Sequence, residues 1–269
     1  MSTTTDSEAI ETAALRDLHR IPDAALAQAL RLHSRDLAEG GFAGIAGALP
    51  ASAIVVNRTI GLGLHRPADA AAVHELMATC RVAGVTRCFV HQHPAAGPAL
   101  AQALQAAGLR RVRGWQKFER GTAPIARAPG GPEVRAVGAE QGAAFAALVC
   151  AAFDLGDAAL AWLAQLPGRR GWQVFMAFDG AQAIGCGALF VHEGMAWFDW
   201  GATAPAHRRR GVQQALLAAR VAHALALGCR RLHTCTGEAV PGDAQHSYRN
   251  ILRAGFQETV LRPNWAPVD

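Results

Sequence analysis

Lysine and tyrosine are almost missing from this 269-residue chain. Lys117 is the one lysine among 26 basic residues, and Tyr248 is the one tyrosine. A net charge of +5 and a pI of about 9.2 would by themselves favour nucleic-acid binding. However, aromatic residues make up only 6% of the chain and do not alternate with the arginines as in a base-stacking platform. We therefore expect no nucleic-acid partner and attribute the arginine excess to GC-rich coding.

Long apolar runs and paired cysteine motifs are also missing. No run reaches the ~18–20 apolar residues of a membrane span, and the opening MSTTTDSEAIETAALRD lacks the basic and apolar regions of a secretory signal. The six cysteines include no CxxC pair, which excludes a disulfide framework. These absences predict a cytoplasmic protein with reduced thiols and no membrane partner. The 51% hydrophobic content is ample for a buried core.

Proline and glycine cluster at GTAPIARAPGGP, residues 121–132, between two patterned regions. We read this segment as a boundary. The sequence predicts a first domain at 1–121, a linker at 122–131 and a second domain at 132–269.

Local patterns in the second domain predict an ordered series of elements. Asp-Gly and Glu-Gly turns between apolar runs mark an antiparallel three-strand meander. Apolar residues at helical spacing then precede a glycine stop. In chain order the prediction is a strand at 133–137, helices at 139–153 and 157–166, strands at 173–178, 181–191 and 195–203, a helix at 211–228, a strand at 229–236, a helix at 247–254 and a strand at 256–261.

The first domain repeats the end of the second. Segment 81–94 is similar to 224–238, and 104–118 is similar to 251–265. The match predicts two copies of one supersecondary plan. The glycines that align are Gly84 with Gly228, and Gly108 with Gly255.

Three consecutive arginines, Arg208 to Arg210, precede Gly211 at a predicted helix start. Cations there oppose the positive end of the helix dipole, whereas the free N–H groups of a helix start bind anions. The pattern predicts a phosphate or pyrophosphate ligand, and the alternative is a solvated basic turn.

The pattern Arg208-x-x-Gly211-x-Gln213, after a strand and before an amphipathic helix, resembles the acyl-CoA signature of the GNAT superfamily of N-acyltransferases. The order of elements over 132–262, with Ala-Gly-Phe at 254–256, supports the resemblance. It implies an α/β (α+β) GNAT fold, a mixed and mostly antiparallel sheet flanked by helices, here in a tandem two-half arrangement. The sequence departs from the family at Gln213, where a small residue is usual.

The resemblance also implies where acyl-CoA binds. A V-shaped opening is expected between the strands at 196–203 and 230–236, with pantetheine along the backbone of Ala202 and Thr203. Ser247 suits the N-cap of the following helix, and Asn250 is a hydrogen-bond partner for the pantetheine arm. The pyrophosphate is expected on the amides of Arg208, Arg209, Arg210, Gly211, Val212, Gln213 and Gln214.

The catalytic base and acid are assigned less directly. Asp199 and Glu238 are the candidate bases, ahead of His207 and His233, and a structural role is the alternative for each. The tyrosine that many relatives use as acid is replaced by Ile251. Tyr248, one helical turn earlier, is a substitute or a packing residue.

The first domain lacks an equivalent cofactor loop. The alignment places Pro67 where Gly211 stands, and proline has no N–H to donate to a phosphate. We interpret this domain as a degenerate GNAT-like unit. No metal site is expected, since His91 and His93 have no visible third ligand. The basic cluster on a predicted strand is interpreted as a solvated face, with a surface for an anionic acceptor as the alternative; it comprises Arg110, Arg111, Arg113, Lys117 and Arg120. GCGA at 185–188 is interpreted as a bulge.

These features predict an N-acetyltransferase (acyltransferase, EC 2.3.1.-). It would transfer an acyl group, acetyl being expected, from acyl-CoA as co-substrate to a primary amine of a small molecule or peptide. The alternative is a sensor that binds acyl-CoA without turnover. A homodimer is compatible with the sequence.

Overall fold

The computed structural model describes residues 3–125 and 130–267, so part of the predicted linker (126–129) lies outside the described residues. The chain divides into two compact units. Unit 1 comprises Met1–Lys117 with Val260–Asp269, and unit 2 comprises Phe118–Thr259. The domain limits expected from the sequence stay a prediction.

Unit 1 is built on short strands and four helices. Strand β3 runs parallel to β4 through the crossover helix α3, while β1 with β2, β2 with β3, and β4 with β11 are antiparallel. The elements are α1 (Thr3–His19), α2 (Ala24–Ala29), β1 (Arg35–Asp36), β2 (Phe42–Gly44), β3 (Arg58–Ile60), α3 (Ala70–Val82), β4 (Phe89–His91), α4 (Gly97–Ala106), most of β5 (Leu109–Arg120) and the last part of β11 (Gln257–Pro267).

Unit 2 contains a longer meander followed by a second crossover. Strands β6 to β9 pair antiparallel in sequence order, and β9 pairs parallel with β10. The strand order continues to β5, of which Phe118–Arg120 belong to this unit. The elements are β6 (Glu133–Val137), α5 (Gly142–Phe153), α6 (Leu160–Leu163), β7 (Trp172–Asp179), β8 (Gln182–His192), β9 (Met195–Thr203), α7 (Val212–Ala226), β10 (Arg231–Gly237) and α8 (His246–Arg253).

Helix α7 covers one face of the unit 2 sheet because its apolar side chains recur every three or four residues. Leu217, Val221 and Ala224 form a fully buried cluster with Phe198 on β9 and Leu232 on β10. The fold is therefore the expected one: a mixed α/β arrangement with a mostly antiparallel sheet flanked by helices.

The same order of elements occurs in both units, as the sequence repeat predicts. A strand, a long helix, a parallel strand and a second helix follow one another in β3–α3–β4–α4 and in β9–α7–β10–α8. The aligned glycines follow the four helices, and all have φ between 75° and 82°. Behind α7, Gly228 donates to Leu225 and Cys229 to Ala224, the bonding pattern of a Schellman motif.

Two expectations need correction. Helix α6 ends at Leu163 rather than at residue 166, because the chain turns before the Pro-Gly pair. A disulfide joins Cys80 at the end of α3 to Cys88 before β4, although all thiols were expected to be reduced. The crossover brings the two Cα atoms to 6.3 Å, a separation that sequence spacing does not reveal. No helix of the described residues is long and apolar enough to cross a membrane.

Candidate functional site

Helix α7 begins without a side-chain cap. Its N-cap residue is Gly211, with φ 74°, and the cap makes no side-chain hydrogen bond within the described part of the chain. The first backbone bond of the helix runs from Ala215 to Gly211, so the amides of Val212, Gln213 and Gln214 precede that bond. Such unbonded N–H groups at a helix start are an anion site.

The loop before α7 adds charge to this helix start. Arg208, Arg209 and Arg210 are all exposed, and Arg209 adopts φ 63°. A positive φ is unfavourable for arginine, so the loop holds Arg209 in an uncommon backbone conformation. The segment that the sequence singled out thus combines exposed cations with exposed backbone donors.

The equivalent helix of unit 1 starts differently. Asp69 is the N-cap of α3, and its carboxylate accepts a hydrogen bond of 2.9 Å from the Ala72 amide. A carboxylate therefore already occupies the position that an anionic ligand would take at this helix start. The contrast with α7 agrees with the expected loss of the cofactor loop in the first half.

Strands β9 and β10 separate beside α7. Their parallel pairing covers three positions and ends at His233 opposite Trp197, whereas β9 continues to Thr203 and β10 to Gly237. At the point of separation the Thr234 hydroxyl donates a 3.0 Å bond to the Phe198 carbonyl. Beyond this point the described residues of the two strands no longer pair with each other, and Ala202 and Thr203 lie on the β9 side of this opening. That acyl-CoA enters here stays a prediction.

A β-bulge interrupts β9 within this opening. Ala202 pairs with Cys186 and Asp199 with Ala188, so two residues of β9 face the single Gly187 of β8. Trp200 has φ 52° at this position. The sequence GCGA does mark a bulge, but the extra residue lies on β9 because glycines on β8 leave room for the irregular backbone.

Asp199 holds the bulge together. One carboxylate oxygen accepts a 2.8 Å bond from the Trp200 amide, and the other accepts a 3.0 Å bond from Nε1 of Trp197. Asp199 is half-buried and already binds the backbone of the bulge, and its role as the base stays a prediction. Glu238 follows the end of β10 and is half-buried.

Tyr248 is turned into the core of unit 2. Its ring lies edge-on to Phe118 with centroids 4.9 Å apart. Burial and a hydrogen bond to the Glu258 carboxylate raise the pKa of Tyr248 to about 12. A phenol with a raised pKa is a weaker proton donor, which favours the packing role over the acid role.

Helix α8 contacts the start of α7 through Asn250. The side-chain Nδ2 of Asn250 donates a 2.6 Å hydrogen bond to Oε1 of Gln213. The backbone carbonyl of Asn250 accepts a 3.0 Å hydrogen bond from Nε2 of Gln214. The expectation that Ser247 caps α8 is wrong: the N-cap is Gln245, which has φ 52°, and Ser247 lies within the first turn. The long side chain at Gln213 thus serves as a link between the two helices.

One carboxylate escaped the sequence analysis. Glu119, near the end of β5, lies with Oε2 4.0 Å from Nδ1 of the fully buried His233. Burial raises the pKa of Glu119, which makes it a better base near neutral pH. In the sequence, Glu119 is a charged residue directly after the apolar Phe118. It was not considered because the predicted domain limits placed it in the first domain, outside the catalytic half.

Within the described ranges, no three His, Cys, Asp or Glu side chains are grouped to hold an ion. His207 lies 3.7 Å from Asp179, so the two form at most a pair.

An uncapped, arginine-rich helix start lies beside two parallel strands whose pairing ends, and the backbone amides of such a helix start suit an anionic group. Residues 146–252 match the model of the acetyltransferase (GNAT) family. The second half of the chain is therefore similar to the GNAT family, and acyl transfer in general is the reaction class that the match supports.

Solved structures share the fold at low sequence identity. A GCN5-related N-acetyltransferase from Kribbella flavida has 18% identity and a TM-score of 0.56, covering 79% of this chain and 80% of its own. A GNAT-family acetyltransferase from Colwellia psychrerythraea has 15% identity and a TM-score of 0.54, covering 100% and 98%. A tandem GNAT protein from the clavulanic acid biosynthesis pathway has 17% identity and a TM-score of 0.55, covering 79% and 76%. No curated protein matches the chain in sequence.

Proposed function

We propose that this protein is an acyl-CoA-dependent N-acyltransferase. It transfers an acyl group, acetyl being expected, to the primary amine of a small molecule or peptide by direct attack in a ternary complex. The uncapped start of α7 beside the bulge of β9 carries this proposal, because it provides a pyrophosphate site next to a place for the thioester.

Binding begins at the loop before α7. The amides from Arg209 to Gln214 hold the pyrophosphate, while the Arg208 amide donates to the Pro205 carbonyl. The guanidinium groups of the three exposed arginines neutralise the ligand's charge. The pantetheine arm follows β9 along Ala202 and Thr203. The amide of Asn250 is available to this arm once it exchanges its bond with Gln213.

The bulge of β9 orients the acyl group. Backbone N–H groups at and after the bulge, on Gly201 and Thr203, are the candidate donors to the carbonyl oxygen, where negative charge develops as the amine attacks. The Ala202 amide is instead bonded to Cys186 on β8. The carbon–nitrogen bond forms as the carbon–sulfur bond breaks, and CoA leaves as a thiolate. Bringing the two reactants together at fixed geometry supplies a large part of the rate.

The proton of the attacking amine passes to a carboxylate. Asp199 and Glu238 remain the candidates from the sequence, and the structure adds Glu119 with its neighbour His233. Because Asp199 accepts two hydrogen bonds that maintain the bulge, its loss would affect orientation as well as proton transfer. The tyrosine is not required, since a CoA thiolate leaves without a strong acid.

Two observations favour the alternative of a sensor that binds acyl-CoA without turnover. Asn250 and Gln213 are bonded to each other at the site expected for pantetheine, and Tyr248 is held by Glu258 with a raised pKa. Both observations are compatible with acyl-CoA binding, and the raised pKa of Tyr248 argues against a dedicated catalytic acid.

Release of free thiol from acetyl-CoA, measured across a panel of primary amines, separates the two functions. An enzyme is expected to release one thiol for each amine that it acylates, and the rate of thiol release should exceed the rate measured without amine. Tight binding of acetyl-CoA with no amine-dependent release would establish the sensor instead. Neither binding nor release would contradict the acyl-CoA assignment itself.

A further inference from the structure

An arginine is buried beneath the bulge of β9. Arg220 lies in the apolar face of α7, one turn after Leu216, and only 3% of it is exposed. Its Cζ lies 5.2 Å from the ring centroid of Phe198. A charged side chain in a core is costly unless its donors are bonded, so its contacts show what it is there to hold.

The guanidinium bonds the backbone on both sides of the bulge. Nη1 donates to the carbonyl oxygen of Ala188 at 3.0 Å and to that of Asp199 at 3.1 Å, and Nε donates to Leu216 at 3.2 Å. Ala188 and Asp199 are the register pair at which the regular ladder stops before the bulge. Arg220 therefore binds the carbonyl groups that flank the extra residue of β9.

The opposite strand makes room for this contact. A Cβ on Gly187 would lie 2.6 Å from Cζ of Arg220, closer than such atoms approach. A glycine within a strand commonly marks a close approach of another group. The absence of a side chain at Gly187 thus makes the space that the guanidinium of Arg220 occupies.

The cation also lies close to the exposed face of the bulge. The position of a Cβ on Gly201 would be 3.9 Å from Nη2 of Arg220, and Gly201 is exposed. Burial lowers the pKa of Arg220 to about 10, so the group stays charged at neutral pH. A fixed positive charge beside backbone donors strengthens a site where negative charge develops.

We propose that Arg220 is a positioning residue for acyl transfer. Through the carbonyl groups of Ala188 and Asp199 it fixes the bulge in the shape that presents backbone N–H groups to the acyl carbonyl. This inference rests on the proposed function. It adds a residue that touches neither substrate and that lies on the buried side of the sheet.

The test compares Arg220→Met with Arg120→Met in the full chain. Arg120 is a matched control, since it too is buried, donates to backbone carbonyls of Ala254 and Ala123, and lies over an aromatic ring, Phe256. Arg220→Met is expected to lower kcat on the order of 100-fold, as loss of an oxyanion donor does, with the KM for acetyl-CoA changed less than about threefold since the α7 start is untouched. Arg120→Met is expected to lower stability to a similar degree and to keep kcat.

Arg220→Lys covers the case in which Arg220→Met does not fold. Lysine keeps the charge but loses the planar fork that serves two carbonyls, so kcat is expected to fall about tenfold with KM unchanged. Wild-type kcat in a folded Arg220 variant, or an equal loss of kcat in Arg120→Met, would overturn the positioning role while leaving the transferase assignment intact.

A different result would separate the two proposals. If the wild-type protein releases no thiol with any amine, the proposed function fails, and amide hydrogen exchange over residues 199–202 decides the role of Arg220. Faster exchange there in Arg220→Lys, but not in Arg120→Met, supports its hold on the bulge. Unchanged exchange refutes it.

Discussion

Five charged side chains are buried together in unit 1. Glu11 accepts bonds from Lys117 at 2.5 Å and from Arg58 at 2.7 Å, and Arg262 bonds both Glu11 and Glu8 at 2.9 Å. All five are less than 5% exposed. Burial alone would raise the pKa of Glu11, but the charges of Arg262, Lys117 and Arg58 hold it well below its ordinary value. The cluster fixes helix α1 within the unit.

Removing one member of this cluster should be costly. Glu11→Gln leaves buried cations without their counter-charge, and we expect a loss of about 3–5 kcal/mol in the free energy of unfolding, measured with urea. Asp36→Asn, in the exposed ion pair with Arg16, is the control and should change stability by less than about 1 kcal/mol. Equal effects of the two substitutions would show that the cluster adds nothing specific.

Histidine burial predicts acid sensitivity. Desolvation, assisted by the charge of Arg58, lowers the pKa of His19 from 6.5 to about 3. Below pH 6.5 the unfolded chain binds a proton at this position and the folded chain does not, so stability is present above that pH and is lost as the pH falls towards 3. Between pH 7 and 5, wild-type protein should lose about 2 kcal/mol more than His19→Gln.

His74→Gln is the control for this measurement, because His74 is exposed on α3. Its unfolding free energy should follow the wild-type pH dependence. A His19→Gln variant with the wild-type slope between pH 7 and 5 would contradict the assignment of a neutral, buried His19.

Single residues also show where sequence reasoning stops. Arg110, Arg111 and Arg113 are exposed, as expected of a solvated face, yet Lys117 and Arg120 on the same strand are buried. Local pattern cannot reveal this, because the carboxylates that compensate Lys117 come from α1, more than 100 positions earlier. The loop at Arg208–Gly211, by contrast, could be recognised from the sequence because its arginines and its glycine are adjacent.

At the scale of elements, the two crossover helices differ at their starts. Helix α3 carries its own carboxylate cap in Asp69, and α7 carries Gly211 with no cap bond. Pro67, which the alignment places opposite Gly211, already indicated this difference. The Asp69 cap depends on the residue at which α3 begins, and helix limits are the least certain part of a sequence prediction.

Glycines at the two ends of α7 allow a paired test. Gly211 and Gly228 have φ 74° and 78°, and a Cβ would meet nothing within 4 Å at either position. Gly211→Ala and Gly228→Ala should therefore lower stability alike, by about 1–2 kcal/mol. Only Gly211→Ala should weaken acetyl-CoA binding, by about tenfold or more, because relief of its strained φ shifts the neighbouring amides and the loss of one charge-assisted bond costs ~1.5–3 kcal/mol.

Calorimetric titration of acetyl-CoA into both variants, with thermal unfolding alongside, checks this prediction. If Gly228→Ala weakens binding as much as Gly211→Ala, the effect comes from α7 as a whole and the loop has no special part in recognition.

For the whole molecule, the order of elements in the second half was largely predictable. Asp179-Gly180 and Glu193-Gly194 separate the meander strands, and β9 has the predicted limits. The repeat was visible through its four glycines because each ends a helix. These signals are local, and turn and cap chemistry is what sequence states most directly.

Long-range choices were not predictable in the same way. The last strand was expected to end at residue 261, yet β11 continues to Pro267, and Val260–Asp269 group with unit 1. Arg262 reaches the buried cluster and Trp265 donates to Gln92. Which distant partner an apolar strand chooses depends on side chains far away in sequence, as does the pairing of Cys80 with Cys88.

Acyl-CoA is proposed to bind at the start of α7 and not at the start of α3. Amide hydrogen exchange of the full chain, with and without saturating acetyl-CoA, tests both parts at once. We expect slower exchange over residues 208–214 and unchanged exchange over 67–73. Protection confined to 67–73, or no protection at 208–214 under saturation, would contradict the account.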